Sequence, residues 1–250
     1  MSADDNDRAP AGKGPRQGLR RFYETAAVGP ATAAGFPVEL DGRAVRTPGK
    51  RPLVLPTSTL AAAIAVEWQD QGERLDPGSM PLTRLANTAL DGIVGQEAAV
   101  AADIVAFAGC DLVCYRADHP ADLASLQAEA WDPVLAWAAS DLDARFVVTR
   151  GIIHVDQPAD ALARVATALV GRTALELCGL HIMTTLTGSA LVALAHAHGR
   201  LTLESAWAAA HVDEDYQISL WGADEEASAR RAFRQREMAA ASRLLRLQSG

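Results

Sequence analysis

An α+β fold is predicted for this sequence, with a small N-terminal β-containing domain followed by a larger, mainly α-helical domain. Two observations predict it. Between residues 21 and 56, short apolar runs alternate with turns that contain glycine or proline, which is typical of short strands. Beyond residue 80, apolar side chains recur every three or four positions through alanine-rich stretches, which is typical of packed helices.

The composition is that of a globular protein. The chain has 250 residues, of which 49% are hydrophobic and 22% are charged, so it can bury a sizeable core without disulfides or metal ions. The 23 basic and 31 acidic residues give a net charge of −8, which disfavours general binding to nucleic acid or to anionic membranes. Three cysteines without a preceding signal peptide indicate a reducing compartment.

Residues 1–20 are predicted to form a disordered lead-in, because they contain almost no large apolar side chain. They include no apolar segment of the kind found in signal peptides, and Asp4, Asp5 and Asp7 argue against a transit peptide. The expected domains are then residues 21–80, rich in β-structure with one helix, and residues 81–250, which are helical.

The first structured element is predicted to be a β-hairpin. Asp41 and Gly42 separate two short apolar runs, and this dipeptide favours a tight turn that needs positive φ at both central residues. A hairpin of this size is not stable alone and must pack on a neighbour.

That neighbour is predicted to be a helix. Leu60, Ile64 and Trp68 recur at intervals of four residues, and the helix is expected to end near Gly72. We assign Trp68 a structural role, in which its indole fixes the helix against the β-unit.

The C-terminal region is predicted to contain seven further helices, at residues 83–93, 96–107, 121–140, 158–170, 173–198, 203–221 and 224–247. Two β-branched runs, 145–149 and 152–155, flank Arg150 and Gly151 and are expected to pair as a hairpin. Residues 177–199 contain no Asp, Glu, Lys or Arg, a length that could span a bilayer. Histidines and glycines in this segment favour a buried helix over a transmembrane one, so no membrane insertion is expected.

No catalytic, cofactor-binding or metal site is predicted. Nucleotide-binding glycine motifs and nucleophile elbows are missing from the sequence. His211 and Asp215 lie four residues apart, so a cryptic enzyme or metal site near residues 211–215 remains an alternative, although a solvated acidic face is favoured. The arginines between Arg230 and Arg246 leave a second alternative, a basic-helix adaptor for RNA or membranes, which the acidic net charge disfavours.

The segment that joins the two predicted domains combines a proline, polar residues and regularly spaced leucines. It is interpreted either as a linker with a capped helix or as a hinge that sets the angle between the domains. The structural residues assigned to this segment are Met80, Pro81, Arg84, Asn87 and Asp91.

A second unusual feature is the tripeptide Trp131, Asp132 and Pro133. Aspartate before proline favours the start of a helix, with Asp132 as N-cap and Pro133 at the first helical position. The indoles of Trp131 and Trp137 are expected to pack in the core.

A third feature places two aromatic residues beside acidic ones, followed by Gly222 as the expected helix end. Aromatic residues beside charges occur at interfaces and also in amphipathic packing, and chemistry alone favours packing. The residues of this segment are Glu214, Asp215, Tyr216, Gln217 and Trp221.

Together these features resemble the assembly chaperones for the α subunit of F1-ATPase, in their alphaproteobacterial form. The resemblance spans about residues 20–240. The matching pieces are Arg21-Phe22-Tyr23, Leu40-Asp41-Gly42-Arg43, Thr47-Pro48, Glu67-Trp68, the run from Met80 to Asp91, Cys114-Tyr115-Arg116, Trp131-Asp132-Pro133, Glu214-Asp215-Tyr216-Gln217 and Trp221-Gly222.

The resemblance implies a non-enzymatic chaperone with two domains, which holds the free α subunit until β subunits replace it. It further implies a bacterial cytoplasmic protein, since the acidic lead-in differs from a mitochondrial presequence. We expect a monomer when free, without a nucleic-acid partner. Glu214 and Asp215 are adjacent on a helix and point about 100° apart, so at least one carboxylate should face solvent and be free to contact the partner.

Overall fold

The computed structural model describes residues 19–248, so nearly all of the predicted lead-in lies outside the described residues. The predicted α+β fold is confirmed. Its N-terminal sheet is antiparallel, and the second strand lies at its centre, paired with the other three. The strands are β1 (Ala26–Val28), β2 (Phe36–Leu40), β3 (Arg43–Ala44) and β4 (Val54–Leu55).

The predicted hairpin is confirmed as the β2–β3 connection. Asp41 and Gly42 have φ angles of 48° and 75°, and Leu40 pairs with Arg43 across the turn. The Asp41 carboxylate also accepts hydrogen bonds from the backbone amides of Glu24 and Thr25, which ties the turn to the segment before β1.

Helix α1 (Ser58–Gln69) packs on this sheet and buries Leu60 and Ile64 completely, as the spacing predicted. Thr57 caps its N-terminus by accepting a hydrogen bond from the amide of Leu60. Helix α2 (Pro81–Thr88) begins two residues before the predicted start, and a π-helical turn (Ala89–Ile93) follows it.

The rest of the chain is a helical layer around a central helix, α6 (Ala174–Thr187). This helix packs against the last helix, α10 (Glu225–Gln248), and against α7 (Ala190–Ala197) and α3 (Glu97–Gly109). Buried residues of the sheet, of α1 and of α6 belong to one continuous core, so the predicted division into two domains at residue 80 stays a prediction. The helices are α3 (Glu97–Gly109), α4 (Ala121–Asp141), α5 (Ala159–Leu169), α6 (Ala174–Thr187), α7 (Ala190–Ala197), α8 (Leu203–Ala210), α9 (Val212–Trp221) and α10 (Glu225–Gln248).

The prediction of one helix over residues 173–198 is wrong, because Gly188 ends α6 in the left-handed conformation, with φ 68°. Ser189 then caps α7 by accepting a hydrogen bond from the amide of Val192. Most residues on both sides of the break are buried, which explains the uncharged sequence. In the part of the chain that the structure describes, no helix is long and apolar enough to cross a bilayer.

The prediction of one helix over residues 203–221 is also wrong, since the backbone leaves the helical conformation at His211, with φ −123° and ψ 21°. The His211 ring turns back onto α8, where it stacks on Trp207 at 3.8 Å between ring centroids. Its Nδ1 lies 2.8 Å from the Trp207 carbonyl oxygen, so the side chain satisfies an acceptor at the end of α8.

Asp132 and Pro133 do not start a helix, which corrects that prediction. Pro133 lies inside α4, which begins at Ala121 and continues to Asp141. Proline cannot donate the backbone hydrogen bond of a helix interior. The free energy lost in this way is offset by the burial of α4 side chains on both sides of the proline, namely Gln127, Trp131, Val134 and Trp137.

The predicted hairpin over residues 145–155 is wrong as well. Instead, β5 (Tyr115–Arg116) pairs in parallel with β6 (Thr149–Arg150). The Gln157 side chain accepts a hydrogen bond from the Val147 amide at 2.8 Å and donates one to the Val147 carbonyl at 3.0 Å. A side chain thus replaces the predicted strand partner, and Ile152 and Ile153 remain exposed.

Candidate partner-binding surface

Helix α9 lies against α4 on the outside of the helical layer. Within the described stretch Val212–Trp221, no residue is buried. Leu220 and Trp221 at its C-terminus are 55% and 80% exposed, and Gly222 ends the helix with φ 82°, as predicted. The packing role that the sequence favours for this aromatic segment is therefore wrong for Trp221, which faces solvent together with Leu220.

The first turn of α9 carries three consecutive carboxylates, where the helix dipole favours negative charge. Asp213 accepts a hydrogen bond from Gln127 of α4, at 2.6 Å. Asp215 forms an ion pair of 2.5 Å with Arg231 of α10, and half of its side chain stays exposed. The prediction that at least one of Glu214 and Asp215 faces solvent is confirmed.

An apolar groove of about 620 Å³ runs between α4, α8 and α9. Tyr216 lines this groove and is half-buried, whereas Gln217 points to solvent. Glu129 and Asp215 also line the groove. Its apolar lining includes Leu126, Ala130, Pro133, Ala208 and Val212.

A second, smaller cavity of about 300 Å³ lies beneath the first turn of α9. His211 and Glu214 line it, together with Trp131 and the α10 residue Arg234. His211 is only 3% exposed, and among the described residues its Nε2 atom has no hydrogen-bond partner. The nearest carboxylate oxygen, Glu214 Oε2, is 3.8 Å from that nitrogen.

Burial lowers the pKa of His211, and the neighbouring charges of Arg231 and Arg234 act in the same direction, against the opposing effects of the Trp207 carbonyl and Glu214. The ring is therefore neutral at pH 7. Because Nδ1 faces the Trp207 carbonyl, Nδ1 carries the proton and Nε2 presents a lone pair.

Trp131 is buried beneath this region, which confirms its predicted core position. Its indole Nε1 donates a hydrogen bond to the Ala209 carbonyl at 2.6 Å, and the Arg116 guanidinium lies 4.8 Å from the ring centroid. Asp132 pairs with the same arginine at 2.6 Å. This tripeptide therefore fixes α4 against α8 and β5.

The predicted linker residues lie elsewhere, at the junction between the sheet and the helices. Met80 is buried, and Pro81 begins α2. Arg84 joins α2 to α10 through an ion pair with Glu237 at 2.6 Å. Helix α2 packs against α1, the helix that carries the half-buried Trp68, and against α10, so the structure places this set away from α9.

Asp91 connects the helical layer to the segment that follows β3. Its carboxylate accepts a hydrogen bond from the Thr47 hydroxyl at 2.6 Å and one from the Gly49 amide at 2.7 Å. Asn87 is half-buried one helical turn earlier, and its Oδ1 has no hydrogen-bond partner among the described residues.

Two buried carboxylates were missed by the sequence analysis as structural groups. Glu67 accepts hydrogen bonds from the amides of Leu82 and Thr83 and thereby caps α2. Asp111 accepts hydrogen bonds from the amides of Val113 and Leu191, at the start of α7. The available signal was a single acidic residue within an apolar run, which is rarely tolerated unless it is hydrogen-bonded.

The alternative metal site finds no geometric support. Among residues 19–248, no group of three or more His, Cys, Asp or Glu side chains is placed to hold a metal ion. Asp215 pairs with Arg231 instead of joining His211. The basic cluster is also partly engaged within the chain, since Arg230 pairs with Glu226 and Arg234 donates to the Leu186 carbonyl.

Comparison with known proteins identifies the family. Residues 20–139 match the family model of the ATP12 chaperone protein. Atp12 from Paracoccus denitrificans is 42% identical, with a TM-score of 0.87, and the match covers 92% of this chain and 98% of that one. A point variant of the same Atp12p is 41% identical, with the same TM-score and coverage.

A further structure, the Atu1473 protein of Agrobacterium tumefaciens, is 48% identical, with a TM-score of 0.88 over 91% of this chain and 85% of that one. Identity at this level over nearly the whole length confirms the resemblance found in the sequence. The chain therefore belongs to the ATP12 chaperone family.

Proposed function

We propose that this protein, an F1-ATPase assembly chaperone by its family, binds the free α subunit of F1 and keeps it soluble until β subunits take its place. The observation that carries the proposal is the exposure of α9, a helix without a buried residue that ends in Leu220 and Trp221. A helix that contributes so little to the core has its apolar residues available for a partner.

The physical chemistry of ring assembly explains why such a surface is useful. A subunit of a ring exposes the apolar interface that its neighbours later cover, and exposed apolar surface promotes aggregation. A chaperone needs apolar side chains to cover that interface and charges to fix the orientation, and it must bind more weakly than the proper neighbour.

The proposed contact residues are those of α9. Trp221 would supply a large apolar contact, and tryptophan is among the residues that carry most energy at interfaces. Tyr216 lines the apolar groove, with Gln217 on the solvent side. The carboxylates of Glu214 and Asp215, which are partly exposed, would set specificity by meeting basic groups of the α subunit.

The same proposal needs no catalytic group. Holding and releasing a subunit is a binding equilibrium, so interactions on one surface are sufficient.

We further propose that the free protein is a monomer in the bacterial cytoplasm. Light scattering of the purified protein measures its oligomeric state, and a monomer would have a mass near the 26.4 kDa of the chain.

The test is a pull-down with tagged chaperone and the host's separate α subunit, separate β subunit and assembled F1. The tagged chain should retain free α subunit and should retain neither β subunit nor assembled F1. Equal retention of α and β, or retention of neither, would contradict the proposal.

A further inference from the structure

The cavity beneath the first turn of α9 contains two hydrogen-bond acceptors close together, on His211 and Glu214. His211 Nε2 offers a lone pair, because the proton of the neutral ring lies on Nδ1. Glu214 adds a carboxylate whose Oε2 is 3.8 Å from that nitrogen. A buried acceptor without a donor is costly, so the site favours a ligand that can donate.

The charges of this cavity favour a cationic donor. Among residues 19–248, no lysine or arginine forms an ion pair with Asp213 or Glu214, whereas Arg231 already neutralises Asp215. Arg234 also lines the cavity, and it donates to the Leu186 carbonyl at 2.6 Å. Asp213 and Glu214 against Arg234 give the residues that line the cavity a net negative charge, and the charge of Arg231, which also acts on His211, is offset by its ion pair with Asp215.

The shape of the cavity favours lysine over arginine. Two acceptors on different side chains, 3.8 Å apart, can both bind one ammonium nitrogen, whereas a guanidinium fork fits two oxygens of the same carboxylate. Leu112, Leu186 and Ala210 form an apolar wall that suits the methylene stem of a lysine.

We infer that this cavity receives one lysine side chain of the α subunit, whose ammonium group donates a hydrogen bond to His211 Nε2 and pairs with the Glu214 carboxylate. This inference rests on the proposed function and adds to it a defined recognition point. Glu214 is then the α9 carboxylate that contacts the lysine in this cavity, whereas Asp215 already pairs with Arg231 of α10 and lies outside the cavity.

The first experiment compares the α-subunit affinity of two matched variants. Glu214→Gln keeps the shape of the side chain but removes its charge, and it should weaken binding roughly tenfold, as expected when one charged hydrogen bond is lost. Glu226→Gln, the control, should change affinity less than about threefold, because that exposed carboxylate pairs with Arg230 on α10 and does not line the cavity. Equal effects of the two variants would overturn the inference.

The second experiment identifies the lysine directly. A water-soluble carbodiimide activates a carboxylate, and attack by a neighbouring amine then forms an amide bond with the carbodiimide converted to its urea. In the complex, mass spectrometry should find an amide that joins Glu214 to a lysine of the α subunit. Cross-links confined to other carboxylates would contradict a lysine at this site.

A His211→Phe variant tests the second acceptor, because phenylalanine keeps the ring over Trp207 but removes both nitrogens. It should weaken α-subunit binding to a similar extent. If thermal unfolding shows that this variant does not fold, the Glu214→Gln comparison and the cross-link still test whether the cavity binds a lysine. If the wild-type chain retains no α subunit at all, the proposed function itself fails, and that outcome is distinct from failure of the lysine site.

Discussion

The carboxylate of Glu67, in the last turn of α1, accepts hydrogen bonds from both the backbone amide and the hydroxyl of Thr83, in the first turn of α2. A third hydrogen bond, from the Leu82 amide, has a length of 2.7 Å. The side chain thus satisfies two amides that the start of a helix leaves unpaired. This contact joins the sheet-bearing segment to the helical layer.

Replacing this carboxylate should destabilise the protein strongly. In Glu67→Ala, two amides and a hydroxyl lose their acceptor in a buried site, and we expect a loss of about 2–4 kcal/mol in the free energy of unfolding. Urea unfolding measures this value. Glu73→Ala is the control, because Glu73 lies on the surface in an exposed ion pair with Arg20 and should cost less than about 1 kcal/mol. Equal losses in the two variants would refute the capping role.

Trp68 should contribute less than a fully buried tryptophan. Its indole is half-buried and meets Tyr23 edge to face, with 5.7 Å between ring centroids. We expect Trp68→Ala to cost about 2–3 kcal/mol, below the 3–5 kcal/mol typical of complete burial. Thermal unfolding measures the cost. Tyr23→Phe, which removes only the hydrogen bond from the tyrosine hydroxyl to the Trp68 carbonyl, should cost about 1 kcal/mol.

What the sequence predicted correctly was local. The Asp41-Gly42 turn depends on the φ preferences of two adjacent residues, and the spacing of Leu60 and Ile64 within one helix is enough to predict α1. The missed features involve partners distant in the chain. The Val147 amide donates a hydrogen bond to the side chain of Gln157 instead of to a neighbouring strand. The spacing of apolar residues carries no information about such a contact.

At the candidate site, too, the features that depend on neighbouring residues were predicted and those that depend on distant contacts were not. The exposed carboxylate and the end of α9 at Gly222 followed from helix geometry and from glycine preferences. For His211, in contrast, the sequence indicates only a metal ligand, part of a cryptic enzyme site or an ordinary histidine. Its actual role depends on the break between α8 and α9 and on stacking with Trp207, and both are hidden when residues 203–221 are predicted as one helix.

Asp91 should make the protein sensitive to acid. The hydrogen bond from the Thr47 hydroxyl, helped by the Gly49 amide and the Arg51 charge, lowers the pKa of Asp91 below its ordinary value. The folded state therefore binds a proton less tightly than the unfolded chain. The contribution of Asp91 is fully present above the unfolded pKa and is lost as the pH falls through the folded pKa.

The measurement is the free energy of unfolding between about pH 5 and pH 2, in the range where carboxylates titrate. Asp91→Asn should lose less stability over this range than the wild type, because the substituted side chain does not titrate. Parallel curves for the wild type and Asp91→Asn would show that the hydrogen bonds do not favour ionisation.

Only one of the three cysteines should react with an alkylating reagent while the protein is folded. Cys110 is exposed at the end of α3, whereas Cys114 and Cys178 are buried, and burial raises the pKa of both thiols to about 12. Because the thiolate is the reactive form, iodoacetamide at pH 8 should add a single group, and Cys110→Ser should add none. Intact-mass spectrometry counts the groups, and rapid double addition would contradict the buried positions.

Glu214→Lys should leave the fold intact but remove α-subunit binding. Glu214 is only partly covered, and among residues 19–248 it forms no ion pair with a lysine or an arginine, so the thermal midpoint should change little. The new ammonium can reach the lone pair of His211 and occupy the cavity from within, which repels a basic group of the partner. The loss of binding should therefore exceed that of Glu214→Gln.

The paired measurements are a thermal melt and the yield of soluble α subunit after dilution from denaturant with each variant. A collapsed melt would make Glu214 a structural residue, and normal values in both assays would exclude the first turn of α9 from the contact with the α subunit.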